Sequence, residues 1–236
     1  RSTGELFSIP SLDMGGYADL RFILREGGSM GDLYSRTDLR RDANGAIYMD
    51  ESNNVYTQKI DNPDSYIKLG SVLPKGNLAW RNNFMWKNFH VGFMISARLG
   101  GVVFSRTQAI LDKFGVSEAS ADARDNGFVL INGNDRVNPE NWYTTVGSTA
   151  VPQYYTYSAT NVRLQEASIG YTIPRKWLAN ICDIKVSLIG RNLWMIYNKA
   201  PFDPEAVAST DNFYQGIDNF MMPSLRNVGF SLNFKF

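Results

Sequence analysis

The stretch Ser-Leu-Arg-Asn-Val-Gly-Phe-Ser-Leu-Asn-Phe-Lys-Phe at residues 224–236 decides the fold. Beginning at Val228, every second residue is apolar, and the residues between are glycine or polar. A period of two residues indicates a β-strand with one apolar face and one polar face. In a soluble sandwich the apolar face would cover a core, whereas in an outer-membrane barrel it would contact lipid. This stretch alone fits both folds, and in a barrel the lipid-facing residues would be Val228, Phe230, Leu232, Phe234 and Phe236.

The clearest predicted hairpin lies at residues 77–99. Apolar and polar residues alternate along both arms, and Lys87-Asn88 between them has the length of a two-residue turn. The second arm, 89–99, alternates without a break over about the 9–11 residues that a tilted strand needs to cross a bilayer. In a barrel the polar positions would point into the lumen. Together with the last strand, the predicted lumen-facing residues are Arg81, Asn83, His90, Ser96, Arg98, Asn233 and Lys235.

A second long hairpin is predicted at residues 160–198. Its first arm changes phase near Gln165-Glu166, which indicates a β-bulge, and Pro174 ends that arm. The apolar alternation resumes at Ile184, so a second arm of similar length follows the turn.

The connections between the predicted long strands alternate between short (87–88 and 174–183) and long (101–157 and 199–223). Outer-membrane barrels have short periplasmic turns and long extracellular loops. A soluble sandwich has no reason to place every long loop on one side. The alternation therefore favours an all-β fold, namely an antiparallel transmembrane β-barrel segment with long extracellular loops. The C-terminus is then expected on the periplasmic side.

Composition argues against several classes of function. The chain has 24 Lys and Arg against 23 Asp and Glu, so its net charge of +1 gives no reason to expect nucleic acid as a partner. Cys182 and His90 are the single cysteine and the single histidine, which argues against a disulfide framework, a zinc site and a Ser-His or Cys-His hydrolase. No motif supports a catalytic carboxylate pair, so no enzyme activity, cofactor or metal is predicted. No apolar run reaches the 18 or so residues of a membrane helix.

The predicted long loops contain the candidate ligand contacts. Their aromatic residues lie in polar surroundings, where exposed rings could bind a ligand; the alternative is that they pack each loop onto itself. The candidates for contact with a substrate or a capping partner are Trp142, Tyr154, Tyr155, Phe202 and Asp203. A short helix is predicted at 107–114 from its apolar spacing. The acidic residues within 31–76 lack the spacing of an EF-hand, which favours a solvated surface excursion there over a calcium site.

Several stretches along the chain match those of one known family, in the same order. They are Glu-Gly-Gly-Ser-Met-Gly-Asp-Leu-Tyr (26–34), Tyr-Ile-Lys-Leu-Gly (66–70), Ser-Ala-Thr-Asn-Val-Arg-Leu-Gln-Glu-Ala-Ser-Ile-Gly-Tyr-Thr-Ile-Pro (158–174), Gly-Arg-Asn-Leu (190–193), Phe-Asp-Pro-Glu (202–205) and the aromatic C-terminus. On these stretches, called the family stretches below, the sequence resembles the SusC/RagA family of TonB-dependent outer-membrane transporters.

The resemblance implies a large plugged barrel of 22 strands. It also implies import of oligosaccharides or peptides, a SusD-like surface lipoprotein that caps the barrel, and energy supplied by the TonB complex through an N-terminal segment. Residues 1–236 contain no plug and too few strands to close such a barrel, so they are expected to be its C-terminal part. They would then pair with the remaining N-terminal part of the same transporter. The alternative function is a soluble all-β carbohydrate-binding module, which would fold without detergent.

Overall fold

The computed structural model describes residues 11–147, 149–178, 181–209 and 214–235. The chain divides into two units. Unit 1 consists of Arg1–Leu73, Gly101–Tyr157 and Val207–Met221, and unit 2 consists of Pro74–Gly100, Ser158–Ala206 and Met222–Phe236. Within the described residues no helix is long and apolar enough to span a membrane.

Most of the regular structure is β, as predicted. The strands in chain order are β1 (Ser11–Tyr17), β2 (Leu20–Arg25), β3 (Asp32–Ser35), β4 (Thr37–Leu39), β5 (Thr57–Lys59), β6 (Ile67–Ser71), β7 (Gly76–Trp86), β8 (Phe89–Leu99), β9 (Val102–Ser105), β10 (Val129–Ile131), β11 (Asp135–Val137), β12 (Thr156–Ser158), β13 (Asn161–Ile173), β14 (Asp183–Asn198), β15 (Ile217–Asp218) and β16 (Asn227–Lys235). The α-helices are α1 (Arg106–Lys113), α2 (Glu118–Asn126) and α3 (Pro139–Val146). Short 3-10 helices cover Pro63–Ser65, Pro152–Tyr155 and Arg175–Trp177.

Unit 2 is built on one antiparallel sheet of five strands in the order β16-β14-β13-β8-β7. β7 and β8 have 11 residues each, β13 has 13, β14 has 16 and β16 has 9. Strands of globular proteins usually have about 5–6 residues. A tilted strand needs about 9–11 residues to cross the hydrocarbon of a bilayer, so these strands are long enough. Both predicted long hairpins are confirmed. In the first, Trp86 lies opposite Phe89 and Lys87 takes a left-handed φ of 53°, as a two-residue turn requires.

The sheet has one apolar face and one polar face across all five strands. One row of directly opposite residues runs Phe84, Val91, Ile169, Leu188, Phe230. The next row lies on the other face and runs Met85, His90, Gly170, Ser187, Ser231. On the apolar face Phe84 is 60% exposed and Phe230 is 78% exposed. A soluble protein rarely exposes so continuous an apolar surface. The predicted alternation of the last strand is present from Val228 to Phe234, and Phe236 lies outside the described residues.

The predicted β-bulge is present in β13. Its register with β8 passes from Leu164 opposite Ile95 directly to Glu166 opposite Met94, so Gln165 is the extra residue. The extra residue restores the alternation, because a shift by one position would otherwise send the apolar side chains to the other face.

The ends of the unit 2 strands separate short connections from long ones. The tight turn between β7 and β8 and the turn between β13 and β14 lie at the same end of the sheet, as the pairings of Phe89 with Tyr171 and of Ile173 with Ile184 show. The long segments leave from the opposite end, where Arg98 and Asn198 both lie opposite Asn161. Aromatic side chains gather at the tight-turn end, with the rings of Phe89 and Tyr171 4.8 Å apart. A barrel carries its aromatic girdle at such a position.

Unit 1 combines short sheets with the three helices around its own hydrophobic core. The main sheet has the order β1-β2-β3-β6, and β9 lies between β12 and β15 in a second sheet. The buried core residues are Leu20, Phe22, Leu33, Leu39, Val55, Val72, Phe104, Ala109, Ile131, Val137, Trp142, Val146, Val151, Tyr155 and Ile217. The prediction that 31–76 is a solvated surface excursion is wrong for the part that supplies Leu33, Leu39 and Val55. These residues are buried because the three chain segments of unit 1, which are distant in sequence, pack on one another around one core.

The predicted helix at 107–114 is confirmed as α1. The Ser105 hydroxyl caps its start by accepting a hydrogen bond from the Gln108 backbone N–H at 3.1 Å. Ala109 and Asp112 are the buried residues of this helix.

Candidate functional site

The polar face of the unit 2 sheet is the first part of the candidate site. It carries all seven residues that the sequence predicts to face a lumen, as the strand registers show: Arg81, Asn83, His90, Ser96, Arg98, Asn233 and Lys235. Their contact with a lumen stays a prediction, because the described strands of unit 2 form a single wall. His90 Nε2 lies 2.9 Å from the Thr172 hydroxyl, which links β8 to β13 across the polar face.

An ion-pair cluster lies in the middle of the polar face. Arg81 Nη2 on β7 is 3.2 Å from Glu166 Oε1, and Arg191 Nε on β14 is 3.4 Å from Glu166 Oε2. Arg81 reaches across β8 to make this contact, since its direct neighbour there is Met94. We call Arg81, Glu166 and Arg191 the arginine-glutamate cluster. Glu166 and Arg191 were not among the predicted site residues, although both lie in family stretches.

A second polar network surrounds the buried side chain of Arg163, near the end of the sheet from which the long segments leave. Arg163 Nη2 is 2.9 Å from Asp203 Oδ1 and 3.2 Å from Glu205 Oε2. Its other guanidinium nitrogens donate to Asn161 Oδ1 and to the Ser224 hydroxyl, each at 3.3 Å. The Arg163 side chain is 5% exposed, so its charge is removed from water and balanced by carboxylates. We call this set of five residues the Arg163 network.

Asp203 is engaged inside this network and not at a free surface. Its carboxylate accepts hydrogen bonds from the backbone N–H groups of Glu205 and Ser224, at 3.1 and 3.2 Å, and from the Ser224 hydroxyl. Burial alone would raise the pKa of Asp203. The hydrogen bonds from Ser224 and Glu205, together with the charge of Arg163, outweigh burial and lower this pKa below its usual 3.8. Its neighbour Phe202 uses its carbonyl to accept a hydrogen bond from the Asn198 amide at 2.6 Å.

We expect the stability of the folded protein to fall when Asp203 is protonated. Because its folded pKa is below 3.8, the network contributes stability above about pH 4 that is lost as the pH falls through the folded pKa. The urea midpoint of the detergent-solubilised protein should therefore drop between pH 5 and pH 3, and Asp203→Asn should reduce that drop. Asp125→Asn, an exposed change on α2, is the control. An unchanged pH response in Asp203→Asn would contradict the assignment.

The structure corrects two of the predicted loop contacts. Trp142 and Tyr155 are 9% and 3% exposed and belong to the core of unit 1, so the prediction that they are exposed aromatics is wrong. The helix α3 is amphipathic, and Trp142 and Val146 are the buried residues of its apolar face. Burial and a hydrogen bond to Asp112 raise the pKa of Tyr155 far above its ordinary value. Tyr154 is 39% exposed, with its ring 5.5 Å from that of Trp142, and its contact with a ligand stays a prediction.

Within the described part of the chain, no group of three or more His, Cys, Asp or Glu side chains is placed to hold a metal ion. The carboxylates of Asp42 and Asp50 instead accept hydrogen bonds from backbone N–H groups of their own turns, at 2.8–3.0 Å.

The family stretches meet one another through ion pairs. The first contains Asp32, which pairs with Lys68 of the second in unit 1. In unit 2, Glu166 pairs with Arg191, and Arg163 pairs with Asp203 and Glu205. The residues that carry the resemblance thus hold together strands and segments that are distant in sequence. Arg163 is not among the predicted site residues, and its place in a family stretch is the sequence signal that points to it.

Comparison with known proteins supports the resemblance to TonB-dependent transporters. No family model matches the chain. The chain is 27% identical to TonB-dependent receptor P3 of Formosa agariphila over 83% of this chain and 19% of that protein. Its fold is similar to the RagAB peptide importer in a closed-closed state, with a TM-score of 0.56 and 12% identity over 96% of this chain and 28% of that one. The open-open state of the same importer gives a TM-score of 0.55 and 11% identity, with the same coverage of both chains.

These comparisons confirm the predicted resemblance and the all-β class. The chain is similar to TonB-dependent receptors in sequence and to the RagAB importer in fold. It spans about a fifth of the length of the curated relative and about a quarter of the length of the solved structures.

Proposed function

We propose that this chain is part of the barrel wall of an outer-membrane, TonB-dependent importer. The observation that carries the proposal is the unit 2 sheet, in which five long strands present a continuous, exposed apolar face and an opposite polar face. Such a sheet suits a wall between hydrocarbon and an aqueous lumen. The similarity to a TonB-dependent receptor and to the RagAB fold supports the same conclusion. In a soluble carbohydrate-binding module the apolar face would need a covering layer.

The edges of the sheet support a larger barrel. In the described sheet β7 and β16 each pair on one side. Each unpaired backbone group in lipid costs several kcal/mol, so further strands must continue the wall at both edges. We assign residues 1–236 to the C-terminal part of the barrel, and we assign the plug and the remaining strands to the N-terminal part of the same transporter. The tight-turn end of the sheet is then periplasmic, together with the C-terminus.

The cargo and the partners follow from the same proposal. The fold neighbours are described as a peptide importer, and the resemblance also allows oligosaccharides. A SusD-like lipoprotein would cap the extracellular side, and the TonB complex would act on the N-terminal region. Uptake of a peptide panel and an oligosaccharide panel, compared between wild-type cells and cells lacking the whole transporter, tests the cargo. Equal uptake of every compound by both strains would contradict import.

The orientation of the two faces can be tested directly with adjacent residues. In the whole transporter with Cys182→Ser, we expect a fluorophore on Leu188→Cys to be quenched by spin labels carried on lipid tails. The same fluorophore on Ser187→Cys should be quenched several-fold less, because Ser187 lies on the polar face. Ile169→Cys and Ser168→Cys provide a second matched pair on β13. Equal quenching within both pairs would contradict a lipid-facing apolar surface.

A further inference from the structure

The polar face of the unit 2 sheet has an excess of positive charge. Among its described strand residues, the cationic side chains are Arg81, Arg98, Arg163, Lys185, Arg191 and Lys235, and the anionic ones are Glu166 and Asp183. The buried Arg163 is balanced by the carboxylates of its own network. The remaining face is therefore clearly cationic, and a cationic wall attracts anionic solutes along a lumen.

The arginine-glutamate cluster concentrates this charge at one place. Two guanidinium groups share a single carboxylate, so the cluster keeps a net positive charge. The side chains of Arg81 and Arg191 are 61% and 66% exposed, whereas that of Glu166 is 24% exposed. Each guanidinium has five N–H donors, and this exposure leaves donors directed toward water.

The geometry of the cluster depends on the β-bulge of β13. The bulge places Glu166 opposite Met94 on one side and opposite Arg191 on the other. The Ser96 hydroxyl donates to Gln165 Oε1 at 3.3 Å and holds the extra residue in place. Bulges often re-aim side chains at binding sites. Here the bulge lets one carboxylate orient two arginines from strands that are not neighbours in the sheet.

We propose that Arg81 and Arg191, oriented by Glu166, form a carboxylate-binding site on the lumen wall, which favours cargo that carries several carboxylates. Guanidinium groups bind carboxylates with paired, charge-assisted hydrogen bonds. The chemistry fits acidic peptides and uronate oligosaccharides alike. This site rests on the proposed import function and adds the chemical class of the preferred cargo to it.

The test uses the whole transporter in its own outer membrane, with the double variant Arg81→Gln/Arg191→Gln. The probes are amidated hexapeptides of alternating Gly-Asp or Gly-Ser, and hexamers of galacturonate or glucose. We expect the double variant to lose about tenfold or more of its uptake of an acidic probe relative to the neutral probe of the same backbone. The peptide pair and the sugar pair show which source supplies the carboxylates. Arg175→Gln is the matched control, because Arg175 makes an exposed ion pair with Asp183 at 3.4 Å.

Two results would overturn the site while import itself stands. Unchanged preference for acidic probes in the double variant would show that the arginines do not bind cargo. An equal loss for acidic and neutral probes, at normal amounts of transporter in the membrane, would assign the cluster to holding the sheet or another protein segment. If the unmodified transporter imports none of the four probes, both the site and the assigned cargo class fail.

Discussion

Arg163→Ala is expected to lower the free energy of unfolding by about 3–5 kcal/mol. The substitution removes a guanidinium group that is 5% exposed and leaves the buried carboxylate of Asp203 without its cation. A single unpaired buried charge costs far more than an exposed ion pair contributes, because the carboxylate keeps its desolvation penalty and loses its attraction. Asn161 and Ser224 also lose hydrogen-bond donors in this change.

The measurement is urea unfolding of the whole protein in detergent or lipid, compared with Arg175→Ala. That control also removes an arginine from an ion pair, but its side chain is 44% exposed, and such pairs contribute about 0–1 kcal/mol. The triple variant Arg163→Met/Asp203→Asn/Glu205→Gln removes all three charges together and should recover part of the loss. A cost for Arg163→Ala no larger than that of the control would contradict the description of the network.

The sequence predicts the faces of the unit 2 sheet well because the information is local. A period of two residues determines the face of each side chain, and the phase change at Gln165-Glu166 reveals the bulge without knowledge of the neighbouring strands. The long strands β8 and β16 are predictable for the same reason. The two-residue turn Lys87-Asn88 likewise identifies the tight-turn end from a few adjacent residues.

The core of unit 1 and the Arg163 network depend on contacts that are distant in sequence. Trp142 and Tyr155 are aromatic residues in polar surroundings, and their burial depends on contacts with stretches far away in the sequence. The hydrogen bond from the Val55 backbone N–H to Asn141 Oδ1 of α3, 86 residues later, illustrates such a contact. Arg163 alternates like a lumen-facing residue of β13. Its carboxylate partner Asp203 lies 40 residues further along the chain, and no local pattern connects the two.

Phe230→Arg is expected to destabilise the membrane-inserted protein by about 2–4 kcal/mol, which is the cost of an arginine on the lipid face of a barrel near the bilayer midplane. Phe230 lies on the apolar face opposite Leu188, four positions before Phe234 at the tight-turn end. Four residues span about 14 Å of strand, which brings Phe230 close to the middle of an apolar band that is about 25 Å tall. The guanidinium group of the introduced arginine would therefore have to lose its hydration shell or distort the bilayer.

Ser231→Arg is the matched control, because it places the same side chain one residue later on the polar face. We expect it to cost less than about 1 kcal/mol, since an arginine there joins a polar face that already carries Arg191 and Lys185. Unfolding of both variants of the whole transporter by guanidinium chloride in phospholipid vesicles measures the difference in free energy of unfolding. Because the two positions are adjacent in one strand and receive the same side chain, the difference reports which face meets hydrocarbon. Equal costs at the two positions would contradict the barrel wall, and a larger cost for Ser231→Arg would mean that the polar face is the covered one.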